Sequence, residues 1–272
     1  MTTALRTILA AVVGLGTLAT AADPLAGQEA ASPGPDRPTI APPQEQPSLR
    51  ELVASVSPAR IEADIKSLVS FGTRHTLSDT LSDTRGIGAA RRWIKAEFDE
   101  ISAACGGCLE VFFQRTLVEG GDRIPLPVEI VNVIAIQRGL HDPDRYVIMS
   151  GDIDSRVSDP LDFTSDSPGA NDNASGVAGV LEAARLLSAR QFSGSIVYAA
   201  LSGEEQGLYG GRHLAALARE EGWRIAGVLN NDMIGNVEGI TGVMDNTCLL
   251  YTSDAADDLV SGWWGGVGVC GC

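Results

Sequence analysis

Five acids stand just beyond predicted strands and a sixth just ahead of a predicted helix, and their placement suggests chemistry done together. Asp152 and Asp154 are alternate residues that follow the apolar run Tyr146–Met149 and the pair Ser150–Gly151. That is the pattern of a buried strand delivering carboxylates at its carboxyl end. Asp172 lies in GANDNASG, just ahead of a helical pattern that puts Val177, Val180, Leu181, Ala184 and Leu187 on one face. Glu204 and Glu205 follow the strand-like run Ser195–Leu201, and Asp232 follows Ile225–Leu229. Taken singly, each is an ordinary turn or cap acid, because Asp favours turns and helix starts. Gathered at one edge, they would repel one another and resist ionisation unless a cation held them. Side chains of adjacent residues at a strand end diverge, so one of Glu204 and Glu205 can bind an ion while the other moves a proton.

The elements that must position these acids alternate as strand, helix, strand, helix, strand. This predicts an α/β fold with a mostly parallel central sheet, helices on both faces and right-handed crossovers. In such sheets ligands bind beyond the carboxyl ends of the strands. Upstream, Leu109–Leu117 and Glu129–Gln137 read as two further strands joined by a polar, proline-bearing hairpin connection. Before them come Leu49–Val56, a helical pattern through Ile61, Ile65, Leu68 and Val69 with Pro58 in its first turn, and a helix carrying Ala90, Trp93, Ile94, Phe98 and Ile101. Ser82, Asp83 or Thr84 is the expected cap of that last helix. A further helix is expected over Leu208–Glu221. His75, in FGTRHT, reads as a hydrogen-bonding structural residue.

The chain has 272 residues, of which 44% are hydrophobic and 20% charged, which suits one globular domain of about two hundred residues. A formal net charge of −15 excludes nucleic acid and basic membrane-surface binding, since phosphates would be repelled. Residues 1–22 read as a signal peptide, with Arg6, an apolar stretch from Ile8 to Leu18 too short to span a bilayer, and Ala19-Thr20-Ala21 as cleavage signal. Residues 23–48 hold seven of the thirteen prolines and read as a linker. An exported chain, with no membrane insertion beyond its signal, favours a disulfide between Cys105 and Cys108 over a zinc site, for which no second cluster follows.

GDIDSR and GANDNASG together resemble the HxD and GAxDNxSG elements of the co-catalytic zinc aminopeptidases of peptidase clan MH, of the aminopeptidase Y and S type. GEEQGLYGG, NDMIG and FGTRHT extend the likeness, which covers about residues 70–247. The resemblance implies a phosphorylase/hydrolase-like zinc exopeptidase architecture acting on peptides. It also implies that Asp172 bridges two metal ions, Glu205 and Asp232 are terminal ligands, Glu204 is the general base and Asp154 orients the first ligand. Where the family has His in HxD this chain has Asp152, still a metal ligand. The resulting all-oxygen set keeps zinc as the expected ion and admits manganese, magnesium or calcium. The family's late histidine has no counterpart, since none follows His213. Cys248–Asp257 resembles a translated transposase adapter, so residues 248–272 read as a sequencing artefact and 49–247 as a metallopeptidase domain truncated at its carboxyl end. The expected function is an exported metal-dependent exopeptidase, most simply an aminopeptidase, with the chain as written short of a ligand. A non-catalytic binding domain on the same scaffold, or carboxypeptidase or glutaminyl cyclase chemistry, are the alternatives.

Overall fold

The computed structural model describes residues 47–235; the expected signal peptide, most of the expected linker and the expected artefact lie outside the described residues. Helix α1 spans Pro47–Ala54, beginning two residues inside the stretch read as linker. Helix α2, Pro58–Ser70, starts at Ser57, whose side chain accepts from the Arg60 N–H at 3.3 Å, and Pro58 takes the position where a missing N–H costs nothing. Helix α3, Gly86–Ala104, begins without the expected cap, because Arg85 precedes it with no side-chain cap bond. Ser82 instead accepts from the Thr84 and Arg85 N–H groups, and Asp79 from those of Leu81 and Ser82. Short polar side chains take the nearest free backbone donors, and here those belong to the turn. After α3 the sulfurs of Cys105 and Cys108 are joined, with an S–S distance of 1.99 Å.

Strands β1 (Leu109–Val118) and β2 (Val128–Gln137) form an antiparallel hairpin with Leu109 opposite Gln137. The others are β3 (Asp142–Asp152), β4 (Gly194–Leu201) and β5 (Arg224–Asn230), with α4 (Gly176–Leu187) and α5 (Tyr209–Glu220) between them. The sheet order is β1-β2-β4-β3-β5. The expected parallel arrangement holds for β4, β3 and β5, whereas β2 meets β4 antiparallel, so the sheet is mixed. Parallel pairing sets Asp152 beside Leu201 and Ser150 beside Asn230, which brings three strand ends to one edge.

Alternation along β2 divides the core. Val133 and Ala135 join Leu68, Ile94, Phe98, Val180 and Leu181 under α2, α3 and α4, while Ile134 and Ile136 join Ile148, Val197 and Leu214 on the α5 face. Burying each of the larger aliphatic side chains stabilises the fold by about 1.5–3 kcal/mol. Tyr146 and Trp223 stack at 4.4 Å on the α5 face. Two glycines then let α4 close over the end of β3. A Cβ on Gly151 would meet the Gly176 carbonyl carbon at 2.7 Å, and one on Gly176 would meet the Asn231 oxygen at 2.2 Å. Side chains at either place would push apart the segments that carry Asp152, Asp172 and Asp232.

Candidate metal centre

Asp154 is the organising residue of the edge. It is 1% exposed and accepts four hydrogen bonds: Gly203 N–H at 2.9 Å and Glu204 N–H at 3.2 Å on Oδ1, and Glu205 N–H at 3.0 Å and the Thr76 hydroxyl at 2.9 Å on Oδ2. A carboxylate just past β3 thereby fixes the turn that follows β4, because the two strands are parallel neighbours. Sequence reading gave Asp154 the task of orienting the first ligand; as the residues lie, Asp154 holds the Glu204–Glu205 turn, while Asp152 receives Asn173 Nδ2 at 3.4 Å.

Asn173 also staples the end of β5 to the segment Ala170–Ser175. Its Nδ2 donates to the Asn231 oxygen at 2.8 Å, and its Oδ1 accepts from Gly176 N–H at 3.0 Å and Met233 N–H at 3.3 Å. Asp172 and Asp232 are neighbours of that staple. The helical pattern that follows GANDNASG becomes regular at Gly176, since Asp172 and Asn173 have non-helical backbone angles. Arg74, 1% exposed, holds the other side of the segment by donating to the carbonyl oxygens of Ile153 (2.8 Å), Leu68 (3.1 Å), Pro168 (2.7 Å) and Gly169 (2.9 Å). Burial lowers its pKa to about 10, opposed by the charges of Asp154 and Asp172. His75 is buried and structural, as expected: its Nδ1 accepts from Leu77 N–H at 3.1 Å, and its Nε2 faces the Pro160 oxygen at 3.0 Å and the Gln206 amide at 3.1 Å.

The acids feel one another. Burial pushes Asp152 well above the usual carboxylate range, and the charges of Asp154, Glu204 and Asp232 push the same way. Glu204 is raised to about 7, first by burial and then by Asp154, Glu205, Asp232 and Asp172. Asp172, Glu205 and Asp232 are raised too, each first by burial. Two cations oppose this: Arg156, whose Nε donates to Glu205 Oε2 and whose charge also lowers Asp172, and Arg74, whose charge lowers Asp172 too. Asp166, a loop acid of the same stretch, pairs instead with Arg85 at 2.7 Å on the exposed surface.

The structure thus brings Asp152, Asp154, Asp172, Glu204, Glu205 and Asp232 into one electrostatic group. Among the described residues, no three His, Cys, Asp or Glu side chains are disposed, as they lie, to hold an ion. Arg156 covers Glu205, and Asn173 stands on Asp152. The donor chemistry still fits a divalent cation, since the group is all oxygen, anionic and short of positive charge. Sequence reasoning missed Arg74, Thr76, Asn173 and Arg156 as contributors. Their only signal was adjacency to motifs, in FGTRHT, GANDNASG and GDIDSR.

Residues 132–263 match the family described as Peptidase family M28. A "Probable zinc metalloprotease" of Leptosphaeria maculans is 45% identical over 203 residues, covering 75% of this chain and 47% of that protein, so the chain spans about half the length of this relative. Among solved structures, a glutaminyl cyclase from an Acidobacteriales bacterium has a TM-score of 0.53 at 24% identity, covering 73% of this chain and 65% of that one. An aminopeptidase from Aneurinibacillus sp. strain AM-1 also has a TM-score of 0.53, at 15% identity, covering 68% and 72%. At such identities these two likenesses are of fold alone. The strand-end acids thus lie in the segment that matches peptidase family M28, and the fold is shared with these structures.

Proposed function

We propose that these acids form the metal centre of an exported exopeptidase that removes residues from the amino ends of peptides. One observation carries the reading: carboxyl groups from three neighbouring strand ends and the α4 entry, buried at Asp152 and Asp154, half-buried at Glu204, Glu205 and Asp232 and exposed at Asp172, crowd together with too little positive charge, and Glu204 is raised to about 7. Asp172 would bridge two divalent ions, with Glu205 and Asp232 at the outer positions and Asp152 as the fourth acid. Zinc is favoured by the likeness to the probable zinc metalloprotease of Leptosphaeria maculans, while manganese, magnesium and calcium suit an all-oxygen set. When bound, such ions supply Lewis-acid polarisation of the scissile carbonyl and of water. Glu204 takes the proton of the attacking water and delivers it to the leaving amine, work suited to a carboxyl with a pKa near the operating pH. Asp154 keeps Glu204 in place through the backbone of its turn, and Arg74 keeps the Asp172 segment in place.

The electrostatics favour the amino end of a substrate. A chain of net charge −15 attracts an ammonium group and repels a carboxylate, which speaks for an aminopeptidase over a carboxypeptidase. The Cys105–Cys108 disulfide supports an oxidising, exported location. The test is an assay of the full chain, supplied with zinc or manganese, on an aminoacyl reporter, its N-acetylated form and a peptide that begins with glutamine. Cleavage of the free reporter alone, abolished by chelator, is expected. Cleavage indifferent to chelator or to N-acetylation would contradict the reading, and ammonia release from the glutamine peptide without hydrolysis would assign the chain to cyclisation instead.

A further inference from the structure

The register of β3 and β4 places Asp152 beside Leu201. Four residues beyond each stand Arg156 and Glu205 (156 − 152, 205 − 201), and their side chains meet, Arg156 Nε donating to Glu205 Oε2. The guanidinium is fixed at its other end as well. Its Nη1 donates to the carbonyl oxygens of Val157 at 3.1 Å and Ser158 at 3.3 Å, so its own loop presents it to the acids. The two side chains are 32% and 11% exposed, enough shelter for the pair to matter and enough opening for the arginine to leave. Arg156 touches Glu205, whereas Asp152 receives the uncharged amide of Asn173 at 3.4 Å. The cluster therefore has one side that already holds a cation and one side that does not.

We propose that Arg156 is a built-in counter-ion that competes with a divalent metal ion for Glu205. One ion then enters readily on the Asp152–Asp232 side, and a second enters only when Arg156 swings out. The inference rests on the metal-centre reading above. Its physical basis is that a guanidinium and a divalent cation held at contact distance on one carboxylate repel one another, so each weakens the other's hold on Glu205. Arg156 is thus a positioning residue: it keeps Glu205 in place while the second ion is away and sets how much free metal is needed to complete the centre.

The experiment is a calorimetric titration of the full chain with zinc or manganese, repeated on Arg156→Gln, Arg156→Lys, Glu205→Gln and the double variant Arg156→Gln/Glu205→Gln. In the unaltered chain the second ion is expected to bind roughly ten- to a hundredfold more weakly than the first. Arg156→Gln should close that gap, and Arg156→Lys should preserve most of it, because an ammonium can also lie on Glu205. Without Glu205, the Arg156 change should have a much smaller effect on ion affinity, what remains being its charge on Asp172, which makes the pair coupled. Thermal unfolding in chelator separates this from a purely structural role: Arg156→Gln should melt lower without metal while binding metal more tightly. Second-ion affinity that is unchanged or weaker in folded Arg156→Gln, or an equal effect of that change with and without Glu205, overturns the proposal. A chain in which neither the unaltered protein nor Arg156→Gln takes up any ion would overturn the metal-centre reading beneath it.

Discussion

Acids gather ahead of α4 and along its carboxyl half, and the two gatherings are built differently. In that half, Asp64 of α2 and Glu182 share Arg185, at 2.8 Å and 3.3 Å, and Glu182 also accepts the Ser57 N–H at 2.8 Å. Asp64 and Glu182 both face Arg185, although burial still raises Asp64, and Glu182 Oε2 and Arg185 Nε make no hydrogen bond. Ahead of its amino end, Asp152, Asp172, Glu204 and Asp232 lie among other acids, and Arg156 touches Glu205. A fold that needed only cohesion would place a cation at each, as it does around Arg185, because a buried charge without a partner costs several kcal/mol. Charge left unbalanced at a strand edge is the mark of a group arranged for a ligand.

That contrast can be broken from either side. The largest effect is expected at Glu204, where Glu204→Gln should cut turnover by about 100- to 10,000-fold and leave metal content near normal. A Glu204→Gln protein that has lost its metal would exchange the roles of Glu204 and Glu205. Next comes Arg185→Met, which strands Asp64 and Glu182 without a cation and should cost about 3–5 kcal/mol in urea unfolding. Ion affinity at the other end of α4 should not move, and an equal loss of stability in Glu204→Gln would erase the distinction between the two ends.

A smaller effect is expected from pH. A carboxyl with a raised folded-state pKa holds its proton more tightly in the folded chain, so the stability it contributes is present below its unfolded value and is lost as pH rises through the folded one. For Glu204 that window runs from the ordinary 4.5 to about 7, and Asp152, Asp172, Glu205 and Asp232 shift in the same direction. In chelator, the chain should therefore melt a few degrees lower just above this window than near its lower end. Glu204→Gln should show a shallower fall, and saturating metal should flatten it. A melting temperature that rises across the window in chelator, in both proteins alike, would mean the acids are not crowded together.

Much of this arrangement was legible from local pattern. The near-continuous apolar run of β2, the helical face of α4 and the turns after β3, β4 and β5 carry their periodicity in the chain, so the edge and its acids could be placed before any coordinates. What was hidden depends on contacts between distant residues. β3 starts at Asp142, ahead of the apolar run that reveals it, because that polar start pairs with Gly194. The antiparallel meeting of β2 and β4 has no local sign. Arg74 and Asn173 act through backbone carbonyls remote in sequence, acceptors that every residue offers and no motif records. Arg156 was in view within GDIDSR, but its partner lies 49 residues on and only the parallel register joins them.

The central claim, that the strand-end acids hold metal, is tested most directly by the metal content of the purified full chain after equilibration with zinc and removal of free ion. Asp172→Asn, which keeps the shape and removes the charge of the acid placed to bridge the ions, is measured beside it. The account expects bound zinc in the unaltered chain and its loss from Asp172→Asn, with both proteins folded by circular dichroism. Zinc absent from the unaltered chain, or retained equally by Asp172→Asn, would contradict it.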